Sequence, residues 1–343
     1  MARRLYLDDG PGERRGVVTL HGLPERLLIE RPSDLATQQP GARLIARVRR
    51  IERALNAAFL DLGAEPDGLL PLSAAPKGLA EGTWIAVEIA AAARGGKGPV
   101  TRFMGVGEGP CRLLSPPPAL EARLSDWAPS QPIIGGSDAR VAADVAEDAA
   151  LTVEHPLPSG GRIFIEPTQA LVAVDIDLGA TGGDGRRAAV RANLEGVEAA
   201  ARLLRLKGLG GLVAIDLAGK GHDGARLSEA AKAAFAADGV GVVIGPISRF
   251  GVLELSTPRS FAPIAEVLLN EAGRPTVETL AYRLLRAIEN AAGAGLFIEA
   301  TCAPAVAEAA ARFSPALADR IGPRFRIQAE ASLPAEDQFV RAR

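Results

Sequence analysis

Two short apolar runs, each ending in an aspartate, constrain this chain more than any other feature. They are ALVAVD, residues 170–175, and GLVAID, residues 211–216. Each is apolar on consecutive positions and contains β-branched residues, which suits a strand covered on both faces. The segment between them, from Arg186 to Lys207, is rich in Ala, Leu, Arg and Glu, and Gly208 stands where a helix would stop. The pattern predicts a β-α-β unit.

Strands joined by such a crossover run parallel, so Asp175 and Asp216 should emerge at the same carboxyl edge of the sheet. Ligands bind at that edge in open α/β sheets. Asp177 lies two residues beyond Asp175 and should point to the same side of a continuing strand. Three carboxylates without a neighbouring Cys or His suit a hard cation, Mg²⁺ or Mn²⁺, held by a few carboxylates, water and substrate phosphate. An aspartate at a strand end also serves as the cap of a following turn or helix. Pattern alone leaves both readings open.

The stretch from Pro158 to Arg259 resembles the catalytic region of the ribonuclease E/G family. The matching pieces are LPSGGRIFIEPTQALVAVDID, NLEGVEAAARLLRLKGLGGLVAIDL and ISRFGVLELSTPR, in the family's order and near its spacing. The resemblance implies a Mg²⁺-dependent endoribonuclease that hydrolyses single-stranded RNA and leaves 5′-phosphate and 3′-hydroxyl ends. It makes Asp175 and Asp216 the metal ligands and Asp177 a third catalytic position, where the family usually has asparagine. An added charge there could repel phosphate or strengthen metal binding. Arg249, in the ISRFG piece, could hold the scissile phosphate or steady a carboxylate, and from the residues alone it reads equally as a surface salt-bridge partner. A second reading is an RNA-binding protein with weak or no nuclease activity. A third, weaker one is metal-dependent cleavage of DNA.

With 343 residues the chain can bury a real core and should form two or three domains. A net charge of −2 excludes a polycation, so RNA binding needs a local basic surface. Arg43, Arg47, Arg49, Arg50 and Arg53 cluster in one short stretch, which also reads as a solvated strand face. Cys111 and Cys302 lack metal-ligand spacing. No run is long and apolar enough for a signal peptide or a membrane span, so the expected location is the cytoplasm.

The expected fold is α/β within a multidomain α+β chain. By the resemblance, residues 1–36 begin a ribonuclease-H-like subdomain, in which Asp8 and Asp9 read as turn residues. Residues 37–107 interrupt it. Their short alternating runs between Gly and Pro already suggest a small β-barrel. The resemblance makes this an OB-fold of the ribosomal-protein-S-one type, with Phe59 stacking on a base, Lys97 meeting a phosphate, and Arg43 and Arg49 on the RNA face. Phe59 also reads as a core aromatic. Leu69 stands where the family has a second aromatic. GGKG lacks the spacing of a nucleotide-hydrolysing phosphate loop.

Residues 108–157 read as a proline-marked linker, a remnant of the family's sensor domain and a return to the first subdomain. The RTAG-like run that holds a 5′-monophosphate in the family is missing. By the same resemblance, residues 158–262 would form the DNase-I-like catalytic subdomain and residues 263–343 a small C-terminal α/β domain. The family's CPxCxG is replaced by FAPIAEVLLNEAGRP, so no zinc link or zinc-linked tetramer is expected, and the expected state is a monomer or small homodimer. His21, His155 and His222 are scattered. Of these, only His222, close behind Asp216, invites a supporting role.

Overall fold

A computed structural model describes residues 3–179, 185–220, 222–239 and 241–343. β1 (Arg3–Asp9), β2 (Arg14–Leu20) and β3 (Leu23–Glu30) form an antiparallel meander. The tight β2–β3 turn holds His21 at φ 54° and Gly22 at φ 83°, the paired left-handed geometry of a two-residue hairpin.

β4 (Arg43–Glu52), β5 (Ala57–Asp61), β6 (Gly68–Pro71), β7 (Trp84–Ala91) and β8 (Val100–Val106) close into a five-stranded barrel, because β4 pairs with both β7 and β5. The barrel is consistent with an OB-fold. Strand alternation sends Leu44, Val48, Leu60, Leu70 and Val87 into its core. β9 (Arg112–Ser115) adds to β4 on the outside.

The triple-proline segment leads into α1 (Leu120–Trp127), whose Leu120 and Leu124 are fully buried against the first sheet. β10 (Ile133–Ile134) then pairs parallel with β1, and α2 (Gly136–Leu151) follows.

A six-stranded sheet comes next in the chain, built from β11 (Glu154–Pro156), β12 (Arg162–Pro167), β13 (Val172–Asp177), β14 (Gly211–Asp216), β15 (Val243–Ile247) and β16 (Val252–Thr257). Its order is β11-β12-β13-β14-β16-β15, and its one parallel pair is β13–β14. α3 (Gly185–Lys207) connects that pair, and α4 (Gly224–Phe235) follows β14. Both helices share one core with Val172, Val174, Ile176, Val213 and Ile215. Gly196 lets α3 cross β13 closely, since a Cβ there would stand 2.4 Å from Ile176 Cδ1.

The opposite face is open. In β13 Val174 and Ile176 are buried while Asp175 and Asp177 are exposed, and in β14 Val213 and Ile215 are buried while Leu212 and Asp216 are exposed. The expectation of strands covered on both faces is therefore corrected. The runs looked uniformly apolar because Ala173 and Ala214 occupy outward positions, where a small side chain tolerates partial exposure.

The chain ends with α5 (Ile264–Leu268), α6 (Val277–Ala291), β17 (Ile298–Cys302), α7 (Pro304–Ala311), α8 (Ser314–Ile321), β18 (Phe325–Ala329) and β19 (Gln338–Ala342). The three strands form a sheet in the order β18-β17-β19 beside a separate core. Thr276 caps α6 by accepting from Thr279 N–H.

A buried ionic network joins α6 to the first sheet and α2. Arg15 pairs with Asp8 at 2.6 Å and Glu147 at 3.0 Å, while Glu147 also takes Arg283 at 2.7 Å. Glu13 pairs with Arg31 at 2.8 Å and with Arg286. Asp8 is thus a buried strand residue, not the expected turn residue, whereas Asp9 is paired with Arg14 at the surface. Among the described residues no helix is long and apolar enough to cross a membrane.

Candidate metal and nucleic-acid site

The parallel pairing of β13 and β14 places Val172 opposite Val213 and Val174 opposite Ile215, so the next outward residues, Asp175 and Asp216, are direct partners. Partner side chains across adjacent strands lie about 5 Å apart at Cβ. Their other neighbours in register, Phe164 on β12 and Val252 on β16, carry no charge. Partial burial, then the charges of Asp216 and Asp177, push the Asp175 carboxyl above its ordinary range.

Asp177 shares the open face, two residues along the same strand, which is about 7 Å away. Its Oδ1 accepts from Gly179 N–H at 3.1 Å, so the side chain also pins the turn after β13. Among the described residues no three His, Cys, Asp or Glu side chains are grouped closely enough to cage a metal by themselves. The expected convergence of three carboxylates is accordingly narrowed to a facing pair with a third nearby. A pair suits Mg²⁺, which takes one or two carboxylates and fills the remaining positions with water and substrate oxygens.

Beyond Asp216 the chain is held from below by Asn193 of α3, which is buried. Its Oδ1 accepts from Ala218 N–H at 2.9 Å, and its Nδ2 donates to Ala218 C=O at 3.0 Å. The same Nδ2 lies 3.4 Å from His222 Nδ1. Leu217 N–H donates to Gly251 C=O, tying this segment to the β15–β16 turn. That turn carries Arg249 and Phe250, both exposed, with the guanidinium carbon 4.7 Å from the ring centre. The sequence pointed to Arg249 and to His222. Phe250 was visible in the same piece, and Asn193 had one signal of its own, an asparagine inside a helix that favours Ala and Leu.

In the barrel, Phe59 on β5 and Leu69 on β6 are cross-strand partners, both half-buried on the outer face. Arg50 lies over the Phe59 ring at 4.7 Å. Lys97 is exposed in the 94–97 turn. Arg43 pairs with Glu88 at 2.9 Å, and Arg49 pairs with Asp67 at 3.0 Å and Glu65 at 3.1 Å. Such solvent-screened pairs are weak and can exchange for phosphate.

The ribonuclease E/G family pattern matches residues 127–260, which contain the six-stranded sheet and the aspartate pair. Ribonuclease E of Escherichia coli K12 is 39% identical over 160 residues, 42% of this chain and 15% of that protein. Ribonuclease G of Salmonella typhimurium SL1344 is 31% identical over 240 residues, 65% of this chain and 48% of that protein. The match spans less than half the length of each of these relatives. The region that carries the two facing aspartates, residues 127–260, thus matches the ribonuclease E/G family.

Proposed function

We propose that the protein is a Mg²⁺-dependent endoribonuclease acting on single-stranded RNA, with Mn²⁺ as an alternative ion. The observation that carries this reading is the direct register of Asp175 and Asp216 on an open sheet face. Asp175 and Asp216 would hold the ion. When bound, it supplies Lewis acidity that offsets the charge building on the phosphorus centre. The two carboxylates otherwise repel each other, and the ion relieves that repulsion. Asp177, beside the pair, would orient water or the ion's hydration shell, and Arg249 would meet phosphate. The barrel would grip single-stranded RNA through stacking on Phe59 and phosphate contacts from Lys97, Arg43 and Arg49. Grip should be moderate, because Leu69 offers no second stacking plane.

The relatives, ribonuclease E and ribonuclease G, are both named for cleavage of RNA, which supports this reading. A second reading, RNA binding with little or no cleavage, draws on the absence, among the described residues, of a third ligand grouped with the pair. Incubating a fluorescent single-stranded RNA with Mg²⁺ or with EDTA separates them. Chelator-sensitive fragments favour the nuclease, and a gel shift of intact RNA under both conditions favours the binder.

A further inference from the structure

Past the carboxyl end of β14, a depression of about 790 Å³ lies between the first turns of α4, at Gly224 and Ser228, and the β15–β16 turn. Its lining includes Lys220, His222, Ser248, Arg249, Phe250 and Gly251. Val252, the register partner of Asp216, directly follows this turn, so the backbone of Gly251 at the edge of the depression lies about 7 Å from that of Asp216. That is about the spacing of one nucleotide in an extended strand.

The chemistry of the lining is specific. Phe250 is 76% exposed, and burial therefore does not explain an aromatic there. The turn presenting it is rigid, since Ser248 Oγ accepts from Phe250 N–H and Val252 N–H, each at 3.3 Å. Arg249 and Lys220 supply exposed cations at the rim.

His222 adds a directional donor. Ala218 fixes the Asn193 amide, because one backbone group there donates and the other accepts. Asn193 Nδ2 is therefore the nitrogen that faces His222 Nδ1, which must act as acceptor. In the neutral ring the proton then sits on Nε2. Nε2 lies at the wall of the depression, 3.0 Å from where a Cβ on residue 251 would stand. Gly251, at φ +87°, leaves that donor uncovered.

We propose that this depression is the subsite for the nucleotide next to the scissile phosphate: its base stacks on Phe250, its phosphates meet Arg249 and Lys220, and His222 Nε2–H donates to it. The inference rests on the nuclease reading for where the strand is cut, but not for whether a nucleotide binds.

The test uses the full chain and a single-stranded RNA oligonucleotide carrying 2-aminopurine, with EDTA present so that binding is read without cleavage. The unmodified protein should quench the probe by stacking. Phe250→Ala should abolish the quenching and raise Kd about tenfold, and Phe250→Trp should restore both, whereas Phe250→Leu should not. His222→Ala should raise Kd about fivefold, with partial recovery in His222→Gln, which keeps a donor. Melting temperatures identify any variant that fails to fold. Unchanged quenching and Kd in a folded Phe250→Ala would overturn the subsite while leaving the aspartate pair untouched. Phe250-dependent quenching by a protein that never cleaves RNA would keep the subsite and remove the nuclease reading.

Discussion

Asp175 and Asp216 face each other across a parallel strand pair, two like charges held in direct register. Such an arrangement is destabilising by ~0.2–1 kcal/mol, so in EDTA either Asp175→Asn or Asp216→Asn should melt slightly above the unmodified protein. Added Mg²⁺ should reverse the order by stabilising only the intact pair, by about 2.7 kcal/mol at a hundredfold excess over Kd. The same repulsion raises the Asp175 carboxyl, after partial burial. The metal-free fold then binds more protons than the unfolded chain just above the ordinary carboxylate range, and stability contributed by this group falls as pH rises through that window. Carboxyl NMR should show Asp175 titrating above the ordinary range and moving back toward it in Asp216→Asn. A lowered melting temperature for both variants in EDTA would argue against the pair as a site of stored repulsion.

Glu147 is the hub of the network that ties α6 to the first sheet. Burial works to raise its carboxyl, but Arg286, Arg283 and Arg15 together hold it below the ordinary range. Glu147→Gln leaves those buried cations short of a counter-charge and should cost about 3–5 kcal/mol. Because the folded value is depressed, the stabilisation is full above the ordinary carboxylate pKa and is lost as pH falls through the folded one. Urea unfolding at pH 7 and pH 4 checks both, with the difference between the two proteins shrinking in acid.

His155 is 9% exposed and is pushed down to about 4 by burial, then by the nearby Lys207 charge. Its folded value lies below the unfolded one, so the fold keeps its full stability above about pH 6.5 and loses it as pH falls toward 4, by up to about 3 kcal/mol. His155→Gln should remove that part of the acid dependence. Equal loss between pH 7 and pH 5 in both proteins would contradict it.

In the barrel, Leu69 is the register partner of Phe59. Leu69→Phe should tighten binding of single-stranded RNA, and Phe59→Ala should weaken it, each by ~1–3 kcal/mol of stacking. Fluorescence anisotropy at one fixed salt concentration is the check, since the phosphate contribution changes with salt.

Much of this arrangement was legible because it is written locally. The two runs ending in aspartate gave both strands and the connecting helix, and parallel pairing then brought the aspartates together. The open face was hidden, since Ala173 and Ala214 read as apolar although they point outward. The ionic network was invisible for a different reason: Arg15 and Glu147 are separated by 132 residues, and Glu13 and Arg286 by 273. Charge at such separations looks like solvated surface until the fold joins it. β19, a polar edge strand, and the short helix α8 lacked the strong periodicity that reveals α6.

The most direct measurement is cleavage of a fluorescent single-stranded RNA by the purified protein and by Asp216→Asn, each with Mg²⁺ and with EDTA. The expected result is chelator-sensitive fragments from the unmodified protein and a loss of roughly a hundredfold or more in the folded variant. Undiminished cleavage by the variant, or fragments that persist in EDTA, would contradict a metal-holding aspartate pair.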